Sequence, residues 1–142
     1  MLHRLDHVSI GVLDMEKAKI LFGEVLGGQP MRDEGESESE GFDWVTFMLG
    51  GKKIELVTPH VAGEGGVGQY LARYGEGFHH LSCAVLDLTE ARAHFESKGI
   101  RILGYSDVSP SFKHFYLHPK DTFGALIQIF EESEETRALA GV

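Results

Sequence analysis

The sequence predicts an α+β fold assembled from two copies of one βαβββ module, and three observations carry that prediction. The segment His7-Val8-Ser9-Ile10-Gly11-Val12-Leu13-Asp14-Met15 returns as His80-Leu81-Ser82-Cys83-Ala84-Val85-Leu86-Asp87-Leu88. Glu55, inside Lys53-Ile54-Glu55-Leu56-Val57, and Gln128, inside Leu126-Ile127-Gln128-Ile129-Phe130, obey the same offset of 73 positions. Within each copy, two-residue apolar alternation gives way to helical spacing and then resumes. An internal repeat of this kind decides architecture before any single residue does.

The elements follow in order. Val8, Ile10 and Val12 alternate with small residues, which predicts a strand from Asp6 to Val12. Asp14 caps a helix to about Val25, with Ala18, Leu21, Phe22 and Val25 on its apolar face and Gly27-Gly28 as its stop. The stretch near Gln29 to Arg32 supplies a further strand, and Asp33 to Glu40 is an acidic, solvated loop. Phe42 to Leu49 and Lys53 to Val57 form a hairpin through Gly50-Gly51. The second copy opens with a strand from His80 to Val85 and an Asp87-capped helix, whose apolar face includes Ala91 and His94 or Phe95. Strands then fall near Ile100 to Leu103, Phe112 to Leu117 and Ala125 to Phe130.

One domain over residues 1–142 is expected: a first module over about 1–58, a connector over about 59–77, a second module over about 78–132 and a tail over 133–142. The connector reads as flexible around Gly63 to Gly68, with a short helix over Gln69 to Tyr74, and the tail as frayed or packed on another subunit. No apolar run has the roughly 18 to 20 residues that span a bilayer, so no membrane partner is expected. Met1 to Asp6 leads straight into the first strand without a secretory pattern, and a cytoplasmic location follows as the default. Net charge −9 and the lack of a basic stripe argue against nucleic acid. The single cysteine, Cys83, lies mid-strand and reads as a small buried hydrophobe.

Each half thus contributes one histidine and one oxygen-bearing side chain at matching places. His7, Glu55, His80 and Gln128 together suit one borderline divalent ion per chain, Co²⁺, Ni²⁺, Mn²⁺, Zn²⁺ or Fe²⁺. Four protein ligands leave positions open for water or substrate. A lone histidine in a strand is more often a hydrogen-bonded core residue, but a shared offset across all four favours the metal.

The duplicated pattern, Leu5-Asp6-His7-Val8 at the start and Gly75-Glu76-Gly77-Phe78-His79-His80-Leu81 in the middle resemble the vicinal oxygen chelate (glyoxalase/bleomycin resistance/dioxygenase) superfamily. Lys53-Ile54-Glu55-Leu56, Leu117-His118-Pro119-Lys120 and Gly124-Ala125-Leu126-Ile127 make the chain most similar to its methylmalonyl-CoA epimerases. The resemblance implies a curved mixed sheet around a metal-binding cleft, a homodimer, and metal ligands at His7, Glu55, His80 and Gln128. It also implies an enzyme that removes and returns a proton α to a carbonyl, acting on an acyl-CoA thioester or a small acid.

The chain departs from that family at its two proposed bases. Gln128 stands where the epimerases carry glutamate, and an amide cannot take a proton at neutral pH. Trp44 stands at the other base position, and Asp43, one residue away, serves only if a bulge turns it to the same face. Glu55 is then the candidate catalytic residue as well as a ligand. His118 and Lys120 are candidate contacts for a carboxylate or phosphate. His79 points to the other strand face from His80 and reads as structural. Gly63 to Gly68 spells G-x-G-x-x-G, yet five residues separate it from the preceding strand and no run of βα units follows, so a dinucleotide site is not expected. Three other readings remain: a glyoxalase I-like isomerase, a ring-cleaving dioxygenase, or a non-catalytic ligand-binding or resistance protein.

Overall fold

In the computed structural model, which describes residues 1–141, nine strands form one mixed sheet accompanied by four α-helices. The elements are β1 (Arg4–Gly11), α1 (Met15–Lys19), β2 (Gln29–Pro30), β3 (Gly35–Ser37), β4 (Phe42–Leu49), β5 (Lys52–Pro59), α2 (Gly65–Tyr74) and β6 (Gly77–Val85). They continue with α3 (Leu88–Ser97), β7 (Ile102–Ser106), β8 (His114–Leu117), β9 (Ile127–Glu131) and α4 (Glu134–Ala140). The strand order is β2-β4-β5-β1-β6-β9-β8-β7, with β3 also pairing β4. Two compact units result: Val8–His79, and Met1–His7 together with the chain from His80 onward.

In the Val8–His79 unit, the Asp14 carboxylate accepts from Lys17 N at 3.0 Å and starts α1. The helix continues past Lys19 as a π-helical turn over Ile20–Val25, a widening that the apolar spacing did not predict. Its Ala18 and Phe22 pack on Val45, Phe47 and Leu56. β4 and β5 pair without interruption from Phe42↔Pro59 to Leu49↔Lys52. Gly50 (φ 56°) and Gly51 (φ 78°) close the hairpin as the two left-handed residues of a tight turn. The acidic loop is partly ordered, because Gly35 to Ser37 pair with β4.

The expected short helix of the connector, Gln69 to Tyr74, is present but begins earlier, at Gly65, within the stretch that reads as flexible. α2 takes in Gly65, Gly66 and Gly68, and its Val67 and Leu71 pack against Val57, Phe42 and Trp44. Gly65 serves close approach: a Cβ there would sit 2.6 Å from the Glu40 carbonyl oxygen, and its φ is +66°. In the other unit, Asp87 accepts from Glu90 N at 2.8 Å and caps α3, the same device at the same repeat position as Asp14. Leu88 and Ala91 of α3 pack on Cys83, Val85, Phe115 and Ile129. Cys83 is buried as expected, and burial pushes its thiol pKa up. The tail is likewise ordered. Ser133 and Thr136 form a reciprocal capping box that starts α4, and Gly141 ends it at φ 73°. Among the described residues no helix is long and apolar enough to cross a membrane.

Candidate metal centre

Strand alternation gives β6, β8 and β9 two chemically different faces. One presents Cys83, Val85, Phe115, Leu117 and Ile129 to α3. The other carries His80, Ser82, His114, Tyr116 and Gln128. His7 and His80 are both buried, and their rings lie 5.5 Å apart in an edge arrangement. His7 Nδ1 meets Asp6 Oδ2 at 2.6 Å, and a carboxylate only accepts, so Nδ1 carries a proton, and in the neutral ring the lone pair is then on Nε2. That is the form in which imidazole binds a metal. His80 packs edge-on to Tyr116 at 6.0 Å between ring centres.

Gln128 is buried beside its register partner Ser82. The Ser82 hydroxyl donates to Gln128 Oε1 at 2.8 Å, and Gln128 Nε2 donates to the Tyr116 hydroxyl at 3.0 Å. Both ends of the amide are therefore held, and Oε1 retains a second lone pair for a cation.

In the Val8–His79 unit, Glu55 is half-buried on β5 opposite Thr46. Its neighbour Leu56 faces the other way into the core and is fully buried. Asp33 organises this side of the hairpin: it pairs with Lys53, accepts from Trp44 Nε1 at 3.2 Å, and its carbonyl accepts from the Thr46 hydroxyl at 2.6 Å. The unbroken β4–β5 register contains no bulge, so Asp43 remains on the face opposite Trp44. There it meets His60 Nε2 at 2.8 Å, which removes it as a substitute base at the Trp44 position.

Among the described residues of the Val8–His79 unit, the rather exposed Glu36, Asp43 and His60 bring potential ligand atoms within 4.8 Å of one another. The His7 and His80 imidazoles and the Gln128 amide lie in one unit and Glu55 in the other; two imidazoles, a carboxylate and an amide oxygen are a donor set whose chemistry fits a divalent ion of the Zn²⁺–Co²⁺ type. His118 caps a short 3₁₀ turn, its Nδ1 accepting from Lys120 N at 3.1 Å, while Lys120 is exposed. His79 is buried edge-on against Tyr70, and burial lowers its pKa, partly offset by Glu55. Asp6, Ser82 and Tyr116 were not singled out by sequence reasoning. Ser82 did carry a signal, since Ser9 precedes it by the repeat offset.

Residues 6–115 match the profile of the Glyoxalase/Bleomycin resistance protein/Dioxygenase superfamily, and the chain belongs to that superfamily. Within it, the relatives include epimerases. The ethylmalonyl-CoA/methylmalonyl-CoA epimerase of Cereibacter sphaeroides is 31% identical over 132 residues, covering 91% of this chain and 98% of that protein. The mitochondrial methylmalonyl-CoA epimerase of Mus musculus is 33% identical over 138 residues, covering 90% of this chain and 72% of the mouse protein. A solved methylmalonyl-CoA epimerase in complex with methylmalonyl-CoA and NH4+ superposes with a TM-score of 0.82 at 25% identity, covering 94% of this chain and 97% of the other. These relationships support an epimerase-like enzyme of the isomerase class.

Proposed function

We propose that the chain is a metal-dependent methylmalonyl-CoA epimerase-like enzyme that removes and returns the proton α to the thioester carbonyl of an acyl-CoA. The observation that carries this reading is the juxtaposition of the His7 and His80 rings, with His7 Nδ1 tied back to Asp6. The proposed ligands are His7, Glu55, His80 and Gln128, holding one ion per chain, Co²⁺, Ni²⁺, Mn²⁺, Zn²⁺ or Fe²⁺. Such an ion would supply positive charge where negative charge develops on the substrate's carbonyl oxygen.

The chain's own residues then divide the remaining work. Gln128 contributes a neutral oxygen donor and no base. Glu55 is the proposed base: its carboxylate takes the α proton to leave a planar carbon, and a proton delivered from solvent to the opposite face gives the other epimer while Glu55 passes its own proton to water. Glu55 would also hold the ion, and only a carboxylate oxygen not engaged with it would be free to accept a proton. His118 and Lys120, neighbours on a short turn, are the proposed contacts for an anionic part of the substrate. A homodimer and a cytoplasmic location complete the reading.

One feature favours a second reading. With Gln128 at a family base position, the same frame suits a protein that binds an acyl-CoA or related ligand without turning it over. Incubation with methylmalonyl-CoA in D₂O separates the two. Metal-dependent deuterium incorporation at the α carbon is the expected result; metal-replete protein with no incorporation above background removes this substrate and favours the binding reading.

A further inference from the structure

We propose that Arg4, Asp6 and Glu132 form a positioning relay that fixes the tautomer and direction of the His7 imidazole. The proposal deepens the metal reading above, and rests on it for the consequence at the ion. Every link is a direct contact. Glu132 Oε1 accepts from Arg4 Nε at 2.5 Å, Arg4 Nη1 pairs with Asp6 Oδ1, and Asp6 Oδ2 meets His7 Nδ1 at 2.6 Å. Glu132 is held in turn by His3 Nε2 at 3.0 Å and by Arg137 Nη2 of α4 at 3.3 Å. The side chains of Asp6 and Glu132 retain 4% and 2% of their exposure, so little water competes for these bonds.

The geometry has a specific chemical consequence. An aspartate alone can rotate, present either oxygen and let the imidazole flip. A guanidinium that grips one carboxylate oxygen leaves the other aimed in a fixed direction. Because that oxygen only accepts, it selects the Nδ1–H tautomer and leaves Nε2 as the donor nitrogen. Stability alone is a poor reason for such an arrangement, since buried ion pairs roughly break even against apolar replacements. The repeat adds a contrast: the position that matches Asp6 in the second copy is His79, so no carboxylate precedes His80. The relay therefore makes His7 and His80 inequivalent within an otherwise duplicated frame.

The test uses full-length protein and the variants Asp6→Asn, Arg4→Met and Arg137→Ala, the last touching only the far end. In metal-free, ¹⁵N-labelled protein, the parent's His7 is expected as the Nδ1–H tautomer, with that preference lost in Asp6→Asn and weakened in Arg4→Met. In Co²⁺ titrations Asp6→Asn is expected to weaken binding by about 10- to 100-fold, the usual cost of losing a partner behind a metal-bound histidine. Arg137→Ala should match the parent in both measurements. Folded Asp6→Asn and Arg4→Met with the parent's tautomer and Co²⁺ affinity would overturn the relay, even if both melt earlier. Should Arg4→Met fail to fold, Arg4→Lys replaces it, keeping the charge but losing the fork. A parent that takes up no Co²⁺ refutes the metal reading, and the tautomer measurement then decides the relay by itself.

Discussion

The Ser82 hydroxyl donates to Gln128 Oε1 at 2.8 Å, while the amide's other end donates to the Tyr116 hydroxyl at 3.0 Å. Both partners are hydroxyls, which can turn and donate or accept as required. The site therefore tolerates a carboxylate at position 128 without leaving a buried group unsatisfied. Gln128→Glu should fold as well as the parent and still bind metal. Epimerase turnover should persist or change its stereochemical course, read by following both epimers of methylmalonyl-CoA. Turnover appearing in this variant from an inactive parent would instead support the binding reading.

Glu55→Gln isolates the proposed base. The swap keeps an oxygen donor and the side-chain shape but cannot take a proton. Proton transfer by a positioned group contributes on the order of 10² to 10⁴ in rate. A loss of that size is expected in α-proton exchange. Full exchange in Glu55→Gln would move the proton to another group.

Much of the frame was legible because repeated functions leave repeated letters. Asp14 and Asp87 announce the two helix starts, and both carboxylates do cap. The offset that links His7 to His80 also links Glu55 to Gln128, and it led directly to the ligand candidates. The supporting shell was harder to read for physical reasons. Adjacent residues on a strand point to opposite faces, so nothing in the alternation suggests that Asp6 should reach the His7 ring. Tyr116 reaches Gln128 only through the β8–β9 register, which pairs the two directly and which one strand's pattern cannot supply. The glycines of α2 look like a flexible link in sequence, yet Gly65 is where the helix start comes close to the Glu40 carbonyl.

The two exposure extremes among the phenylalanines give a stability test. Phe115 is completely buried between β8 and α3, and Phe123 is fully exposed. Phe115→Ala should cost about 3–5 kcal/mol through lost burial and the cavity left behind. Phe123→Ala should stay within about 0.5 kcal/mol of the parent. Urea unfolding midpoints measure both, and similar shifts would contradict the packing described.

Glu132 gives the acid limb of stability its sign. Burial raises its carboxyl pKa, but hydrogen bonds from Arg4 and Arg137 and the charges of Arg4 and His3 more than offset this, leaving the group below its ordinary value. A depressed folded pKa stabilises the fold above the unfolded value of about 4.3. That contribution is lost as pH falls through the lower folded value. Glu132→Gln should be less stable than the parent at neutral pH and show a flatter decline below about pH 4.3, measured by urea unfolding across pH. Parallel curves for the two proteins would contradict the assignment.

The central claim is that His7 and His80 hold a metal together with Glu55 and Gln128, and metal binding tests it most directly. Protein loaded with Co²⁺ and freed of excess should retain about one ion per chain, by elemental analysis, as expected for one closed ligand set. His7→Ala and His80→Ala should each bind Co²⁺ far more weakly, since each removes a neutral nitrogen donor. If the parent retains no metal, or both variants bind as tightly as the parent, the ligand assignment is wrong.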